Sequence, residues 1–380
     1  MDHLEDLLRE IIAGKVSTPD ELQKAKIRMC RKYDIDDLPK NSELLKKVDE
    51  IPDINREDVV DVLQRKPSRK KSGVTVIAVM TSPAECPHGK CIMCPGGPFN
   101  EEPSPQSYTG EEPAALRGER NDYDPYKQIQ DRLKQYKAIG HKTDKVDLII
   151  MGGTFPARDW VYQKQFVKGC FDGLNGDISN DLKEAQIKNE KSKRRCIGLT
   201  IETRPDYCKE NELDRMMNLG TTRVEIGVQT LRNKILKNIQ RGHSVEDSIE
   251  ATYLSKERGL KVCYHMMPGL PGSSKQDDLK EFKQLFEDEK FKPDMLKIYP
   301  TLVIKGTELY EMWKNGEYHP YSTQEAADLV AEMKSLVPKW VRIQRVQRDI
   351  PSPLVDAGVN KSNLRQYAKR SMKNKDLKCD

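Results

Sequence analysis

The segment Val74-Thr75-Val76-Ile77-Ala78-Val79-Met80, with Cys86-Pro87-His88-Gly89-Lys90-Cys91-Ile92-Met93-Cys94 just after it, decides how the rest of the 380-residue chain is read. Its first part is apolar and rich in β-branched side chains, the pattern of a buried strand. Its second part sets three cysteines within nine residues, spaced C-x4-C-x2-C, and Pro95-Gly96-Gly97-Pro98 follows directly. In βα folds the chemistry collects on loops leaving the C-terminal ends of strands, and these cysteines occupy such a loop. Three converging thiolates are soft ligands, suited to zinc or to an iron–sulfur cluster.

Downstream, apolar strands alternate with amphipathic helical patterns, which is the signature of a parallel βα array. Strands are predicted at 74–80, 146–151, 196–202, 223–228, 260–265 and 295–299. Helices are predicted near 125–139, 159–172, 209–218, 245–258 and 276–288, with 100–124 a long loop over the cysteine end. Six such units make an α/β fold, a partial (β/α)6 barrel of the TIM type; a doubly wound open sheet is the alternative. Residues 1–64 read as a helical appendage. Leu4, Leu7, Leu8, Ile11 and Ile12 make one apolar stripe, and Thr18-Pro19-Asp20-Glu21 is a capping box with proline at the first helical position. The domain layout is therefore 1–64 helical, 65–73 a basic linker, 74–338 the barrel, and 339–380 a basic C-terminal extension.

Composition narrows the class. The chain is 33% charged and 36% hydrophobic, and no apolar run approaches the roughly 20 residues that span a bilayer. Its acidic, amphipathic N-terminus is no signal peptide. Nine cysteines, an odd number concentrated in one motif, point to a reducing compartment, so a cytoplasmic location without membrane partners is expected. Positive charge gathers in two places. Arg65, Lys66, Arg69, Lys70 and Lys71 carry no acid among them, and Lys339–Lys378 has eleven Lys/Arg against three acids, with Arg365, Lys369 and Arg370 close together. Two such runs beside a barrel make nucleic acid an expected partner, with these residues flanking the open barrel end.

Polar residues recur at the predicted strand ends. Gly152-Gly153-Thr154 follows the second strand, where glycine lets backbone approach a ligand. Glu202 and Arg204 end the third, a pairing suited to ribose hydroxyls and a ligand carboxylate. Glu225 and Gln229 on the fourth point inward, and buried polar groups need partners. His265 and the Pro/Gly loop to Gly272 follow the fifth, and Lys297-Ile298-Tyr299 closes the sixth.

Three cysteines leave one iron of a four-iron cluster open, since four thiolates usually close it. In this the chain resembles the radical S-adenosylmethionine enzymes, whose open iron is chelated by the methionyl amine and carboxylate before the sulfonium is cleaved. The family spacing is C-x3-C-x2-C, so the first gap here is one residue longer. A Gly-Gly-Glu turn holds the methionyl amine in that family, and here Thr154 stands third. The competing reading is a structural zinc site of Cys86, His88, Cys91 and Cys94 in an RNA-binding or scaffold module.

The match then becomes closer. C-P-H-G-K-C-I-M-C-P-G-G-P, S-Y-T-G-E-E-P, V-D-L-I-I-M-G-G-T-F, G-L-T-I-E-T-R-P-D-Y-C, R-V-E-I-G-V-Q-T, H-M-M-P-G-L-P-G, L-K-I-Y-P-T-L-V-I-K-G-T-E-L-Y-E and R-V-Q-R-D-I-P resemble the catalytic subunit of the Elongator complex in an archaeal-type version. That resemblance implies a radical enzyme adding a carboxymethyl group from acetyl-CoA to C5 of the tRNA wobble uridine. It implies a 4Fe–4S cluster on Cys86, Cys91 and Cys94, and S-adenosylmethionine held by Gly152, Gly153, Thr154, Glu202, Arg204, Glu225 and Gln229. It places acetyl-CoA at Lys145 and the tRNA anticodon arm on the helical region and the two basic runs. Candidate partners also include a second copy of the chain and, in some organisms, other Elongator-type subunits. Family members continue into an acetyltransferase domain, about where this chain stops at Leu377-Lys378-Cys379-Asp380, and no Arg/Gln-x-x-Gly-x-Gly loop occurs here. The chain is accordingly read as a shortened form that binds tRNA and S-adenosylmethionine without completing the reaction, which leaves a protein acetyltransferase reading without support. Cys379 matches a family cysteine of a structural zinc site.

Replacing Cys91 with Ser is expected to abolish cluster assembly, because serine is a harder and less acidic ligand. Replacing Cys170 or Cys208 should leave it unchanged. Iron and sulfide content after anaerobic reconstitution checks both, and a Cys91→Ser protein holding four irons contradicts the ligand set.

Overall fold

A computed structural model describes residues 2–64, 72–100 and 102–378. Four helices open it: α1 (His3–Ile12), α2 (Pro19–Tyr33), α3 (Asn41–Val48) and α4 (Arg56–Leu63). The capping box forms as read: Thr18 Oγ1 accepts the Glu21 N–H while the Glu21 carboxylate accepts the Thr18 N–H. Leu7, Leu8, Leu44, Leu45, Val59 and Leu63 bury against one another in a core of their own.

The barrel region runs β1 (Thr75–Met80), α5 (Pro113–Arg120), α6 (Pro125–Ala138), β2 (Lys145–Met151), α7 (Trp160–Asn175), α8 (Leu182–Glu190), β3 (Arg195–Thr203), α9 (Glu210–Leu219), β4 (Arg223–Gln229), α10 (Asn233–Asn238), α11 (Val245–Glu257), β5 (Lys261–Met266), α12 (Lys275–Glu287), β6 (Met295–Ile298), α13 (Glu308–Lys314), α14 (Thr323–Ser335), β7 (Arg342–Arg345) and α15 (Leu364–Asn374). The strands pair in parallel in chain order from β1 to β7. Helical crossovers between neighbouring parallel strands curl such a sheet into a half-barrel. Ile77, Val79, Leu148, Ile150, Ile201, Val224, Val262 and Leu296 form its buried apolar centre, and Cys170 and Cys208 lie in the same core.

All six expected strands form, and a seventh joins them. Arg342-Ile343-Gln344-Arg345 pairs with β6, Met295 opposite Arg342. An edge strand with three polar residues in four has no readable alternation, so it was missed. Residues 339–378 are therefore not an appended extension. β7 completes the sheet, and α15 buries Leu364, Ala368 and Met372. Ser371 Oγ donates to Asp328 on α14 at 2.5 Å. The expected long loop at 100–124 also contains a helix, α5, begun by Pro113. No helix among the described residues is long and apolar enough to cross a membrane.

The helical region docks at the N-terminal end of the sheet. Arg56 Nη2 donates to the Lys137 carbonyl at 2.5 Å, and Gln64 Nε2 to the Gly140 carbonyl at 3.2 Å. Gly140 precedes β2, so this contact lies at the end opposite the cysteines. Arg65, Lys66, Arg69, Lys70 and Lys71 fall outside the described residues. Their described flanks, Gln64 and the Ser72–Val74 lead into β1, both sit at that N-terminal end. The expectation that this run flanks the open end of the barrel gains nothing from those flanks.

Close packing of α6 on α7 supplies a test. A Cβ on Gly173 would lie 2.8 Å from Ile129 Cβ, inside any real contact. Gly173→Val should destabilise by about 1–3 kcal/mol through overpacking, read as a lowered urea midpoint at unchanged slope.

Candidate active site at the carboxyl ends of the strands

A cavity of about 150 Å³ opens where the strands end, lined by Cys86, Cys91 and Cys94 on one side and by Glu202, Glu225 and Gln229 on the other. Backbone geometry lets its wall close. Gly152 takes φ +120°, and a Cβ there would meet Thr81 Oγ1 at 2.2 Å. Thr81 instead bonds this backbone twice, its N–H to the Met151 carbonyl at 2.9 Å and its hydroxyl to the Gly152 carbonyl at 3.1 Å. Gly153, at φ +75°, brings bare backbone beside Cys86, whose Sγ lies 3.9 Å from where its Cβ would be.

The three thiols are nearly buried. Cys86 Sγ lies 3.5 Å from Thr154 Oγ1, Cys91 Sγ 3.1 Å from His88 Nε2, and Cys94 Sγ accepts the Ser107 N–H at 3.2 Å. Burial pushes the Cys86 thiol up, and it carries Cys94 to about 11. Thiolates there need a cation to hold them ionised, which is what a metal centre provides. A single tetrahedral zinc would draw its sulfurs to about 3.8 Å apart, given a Zn–S bond near 2.3 Å. Among the described residues, the ligand atoms that gather within 4.8 Å of one another are those of Glu225, Cys263 and His265, not the cysteine set.

Behind the cysteines stand two guanidiniums. Arg204 is buried, bonding Asp206 through Nε at 2.9 Å and Nη2 at 2.7 Å. Arg241 Nη2 donates to the Gly227 carbonyl at 3.2 Å, and its Nη1 lies 3.6 Å from Cys91 Sγ. Arg204 Nη1 and Arg241 Nε are buried without a hydrogen-bond partner, and so are both ring nitrogens of His243. Burial, then the positive charge of Arg241 and Arg204, pushes His243 down to about 2, so that ring is neutral.

Across the cavity the unpaired atoms are acceptors: Glu225 Oε1 and Gln229 Oε1. Lys297 Nζ contacts Glu225 Oε2 and lies 3.4 Å from Glu202 Oε1. His265 Nε2 lies 2.9 Å from Glu225 Oε2. Burial alone would raise the Glu225 carboxyl; Lys297 and His265 outweigh it and hold the group below the usual carboxylate range. The cover over the cavity is tied down at two consecutive residues. Tyr108 donates its phenol to Glu202 Oε2 at 3.0 Å, and Arg348, beyond β7, donates to the Ser107 carbonyl.

The structure thus brings Cys86, Cys91, Cys94, Gly153, Thr154, Glu202, Arg204, Glu225 and Gln229 to one cavity, with Gly152 shaping its wall. It does not bring Lys145 there. That residue starts β2 and is exposed, at the far end of a strand whose last residue, Met151, lines the cavity; at about 3.3 Å per residue the separation is roughly 20 Å. Arg365, Lys369 and Arg370 are exposed on α15. The first turn of α15 abuts the cavity end, because the Leu364 N–H donates to Gln347 Oε1 at 3.3 Å. Cys379 lies outside the described residues. Sequence reasoning missed Arg241, Tyr108, Arg345 and Arg348, which line the same cavity. Their only signal was membership of quoted or neighbouring motifs, since the last two come from the unread seventh strand and its exit.

The chain is similar to known proteins over most of its length. The model of the radical SAM superfamily matches residues 81–285, that of the ELP3 N-terminal domain residues 1–70, and that of the radical SAM C-terminal domain residues 293–374. The chain is 52% identical over 380 residues to a tRNA uridine(34) acetyltransferase of Methanocaldococcus infernus, covering 99% of this chain and 70% of that protein. It is 44% identical to Elongator complex protein 3 of Bos taurus, covering 98% of this chain and 69% of that one. A solved structure of the Methanocaldococcus infernus Elp3 with an N-terminal deletion superposes with TM-score 0.71 at 50% identity, over 81% of this chain and 64% of that one. The chain thus spans about two thirds of the length of these relatives.

Gly152→Val combines a disfavoured φ with collision against Thr81. A loss of about 2–4 kcal/mol follows from strain plus overpacking, and scanning calorimetry should show a clearly lowered melting temperature. An unchanged Tm would mean the turn is not held as described.

Proposed function

The chain belongs to the radical SAM superfamily and, within it, to the Elongator complex protein 3 family of tRNA uridine 34 modification enzymes, and from that premise we propose that it performs the radical half of carboxymethyl transfer to C5 of that uridine. The observation that carries this reading is the pairing inside one cavity of three cysteines with opposed sets of unsatisfied groups. Arg204 Nη1 and Arg241 Nε lack acceptors, while Glu225 Oε1 and Gln229 Oε1 lack donors. A ligand carrying a carboxylate, an amine and a hydroxyl pair satisfies both sets, and S-adenosylmethionine is such a ligand. In this reading Cys86, Cys91 and Cys94 would hold a 4Fe–4S cluster, which would supply one-electron reduction to a bound S-adenosylmethionine.

The remaining work is done by the chain's own residues. Arg204 and Arg241 take the ligand carboxylate through charge-assisted hydrogen bonds. Gly153 offers backbone without side-chain bulk, and Glu202, Glu225 and Gln229 accept from amine and hydroxyls. Tyr108 and Arg348 anchor the cover that keeps water from a reactive carbon radical. Acetyl-CoA is the co-substrate in this reading, and the position of Lys145 argues against a contact from that residue at this cavity. Bovine Elongator complex protein 3 is by its name a subunit of a complex, and on that likeness further subunits are partners in this reading.

The exposed cations of α15 would grip RNA largely through phosphates, with the anticodon loop bases splayed towards the cavity. Titration of tRNA by anisotropy at two salt concentrations tests this. Affinity should fall with salt at a log–log slope of roughly −0.7 per single-strand phosphate contacted. Reversing Arg365, Lys369 and Arg370 to Glu should weaken binding and flatten that slope, with iron content unchanged. Equal affinity of the two proteins at low salt would remove α15 from the RNA surface.

A further inference from the structure

The floor of the cavity holds two carboxylates and one ammonium. Lys297 contacts Glu225 Oε2 and lies 3.4 Å from Glu202 Oε1. Its side chain is 7% exposed, against 12% for Glu202 and 0% for Glu225. Both glutamates line the cavity, and Lys297 stands behind them rather than among the lining residues.

The neighbours of this trio are otherwise engaged. From β5, His265 shares the Glu225 oxygen that Lys297 holds, and the buried Cys263 thiol, pushed well up by burial, stays neutral. From β4, Arg223 comes only to 3.7 Å of Glu225 Oε1 and gives its Nη2 to Asp147 at 3.0 Å. From β7, Arg345 is spent on Asp349 at 2.5 Å. Tyr108 and Tyr299 present phenols that burial keeps protonated. Lys297 is thus the ammonium on which both carboxylates depend.

We propose that Lys297 is a positioning residue, which keeps Glu202 and Glu225 as two aligned acceptors for the hydroxyl and amine donors of the bound cofactor without touching it. This role rests on the cofactor reading above. The reason is electrostatic. Two carboxylates in one dry pocket repel, and with no cation between them they hold a proton in common. That proton turns an acceptor into a donor and lets the carboxyls pair with each other instead of with ligand. Loss of the ammonium should therefore make cofactor binding depend on pH, weak where the pair holds its proton and recovering as rising pH removes it. With Lys297 present its ammonium lies against both carboxylates, and binding should be flat across the neutral range.

The experiment is calorimetric titration of S-adenosylmethionine into anaerobically reconstituted protein from pH 6 to 9, for wild type, Lys297→Met, Lys297→Arg and the double variant Glu225→Gln/Lys297→Met. Lys297→Met should keep its cluster, bind roughly tenfold or more weakly at pH 7, as for a lost charged interaction, release a proton on binding to an extent that falls as pH rises, and recover affinity towards pH 9. Lys297→Arg should restore a flat profile. If Lys297→Met does not fold, the double variant, which has a single carboxylate and no unpaired one beside it, should fold and bind without pH dependence. Equal affinity and a flat profile in Lys297→Met would overturn the role, as would a pH-dependent Lys297→Arg. Failure of cluster-loaded wild type to bind S-adenosylmethionine would remove the functional reading itself, and this role with it.

Discussion

An ammonium between two carboxylates is an expensive thing to bury. Each ion taken from water costs several kcal/mol even after relaxation, repaid only when the partners are close and well aligned. Lys297, Glu225 and Glu202 come from three different strands, β6, β4 and β3. Their meeting therefore fixes the curvature of the half-barrel at the level of the cavity floor. A flatter sheet would part them and leave unpaired charge in a dry core. The apolar residues that pack under the floor stabilise the fold as a whole, while this trio makes one particular curvature the stable one.

The floor is also tied to the roof. Glu202 accepts from Lys297 below and from the Tyr108 phenol above. The residue before Tyr108, Ser107, gives its N–H to Cys94 Sγ and its carbonyl to Arg348. Lys297, Glu202, Tyr108, Ser107, Cys94 and Arg348 thereby connect the carboxylates, the cysteines and the exit of the seventh strand. Displacing any one of them changes the distance between the three cysteines and the polar groups facing them. Geometry of that kind suits a site in which a reactive carbon must be generated close to its target and away from solvent.

Arg204 and Arg241 line the cavity near the cysteines, and Glu202 and Glu225 line it with Lys297 held behind them. Unsatisfied donors accompany the first pair and unsatisfied acceptors the second. Orphaned polar atoms are rare in folded proteins because each costs about 1–3 kcal/mol. Those that line this cavity include donors on Arg204 and Arg241 and acceptors on Glu225 and Gln229.

Much of this was legible in the chain itself. Continuous apolar, β-branched runs separated by helical stripes point to a parallel array, and cysteine spacing with strand-end Glu, Arg and Gly places the chemistry at one end of it, because both signals are local in sequence. Tertiary structure alone decided the rest. β7 is charged and short, so only pairing with β6 makes it a strand. Arg345 and Arg348 reach the cavity only because that strand turns the chain back over the mouth. Lys145 looks like a neighbour of Gly152 in sequence, yet the strand between them carries it to the opposite end. Lys297 and Glu225 are 72 residues apart, and no local pattern pairs them; they meet because the sheet curls, and the sheet can curl as it does because they meet.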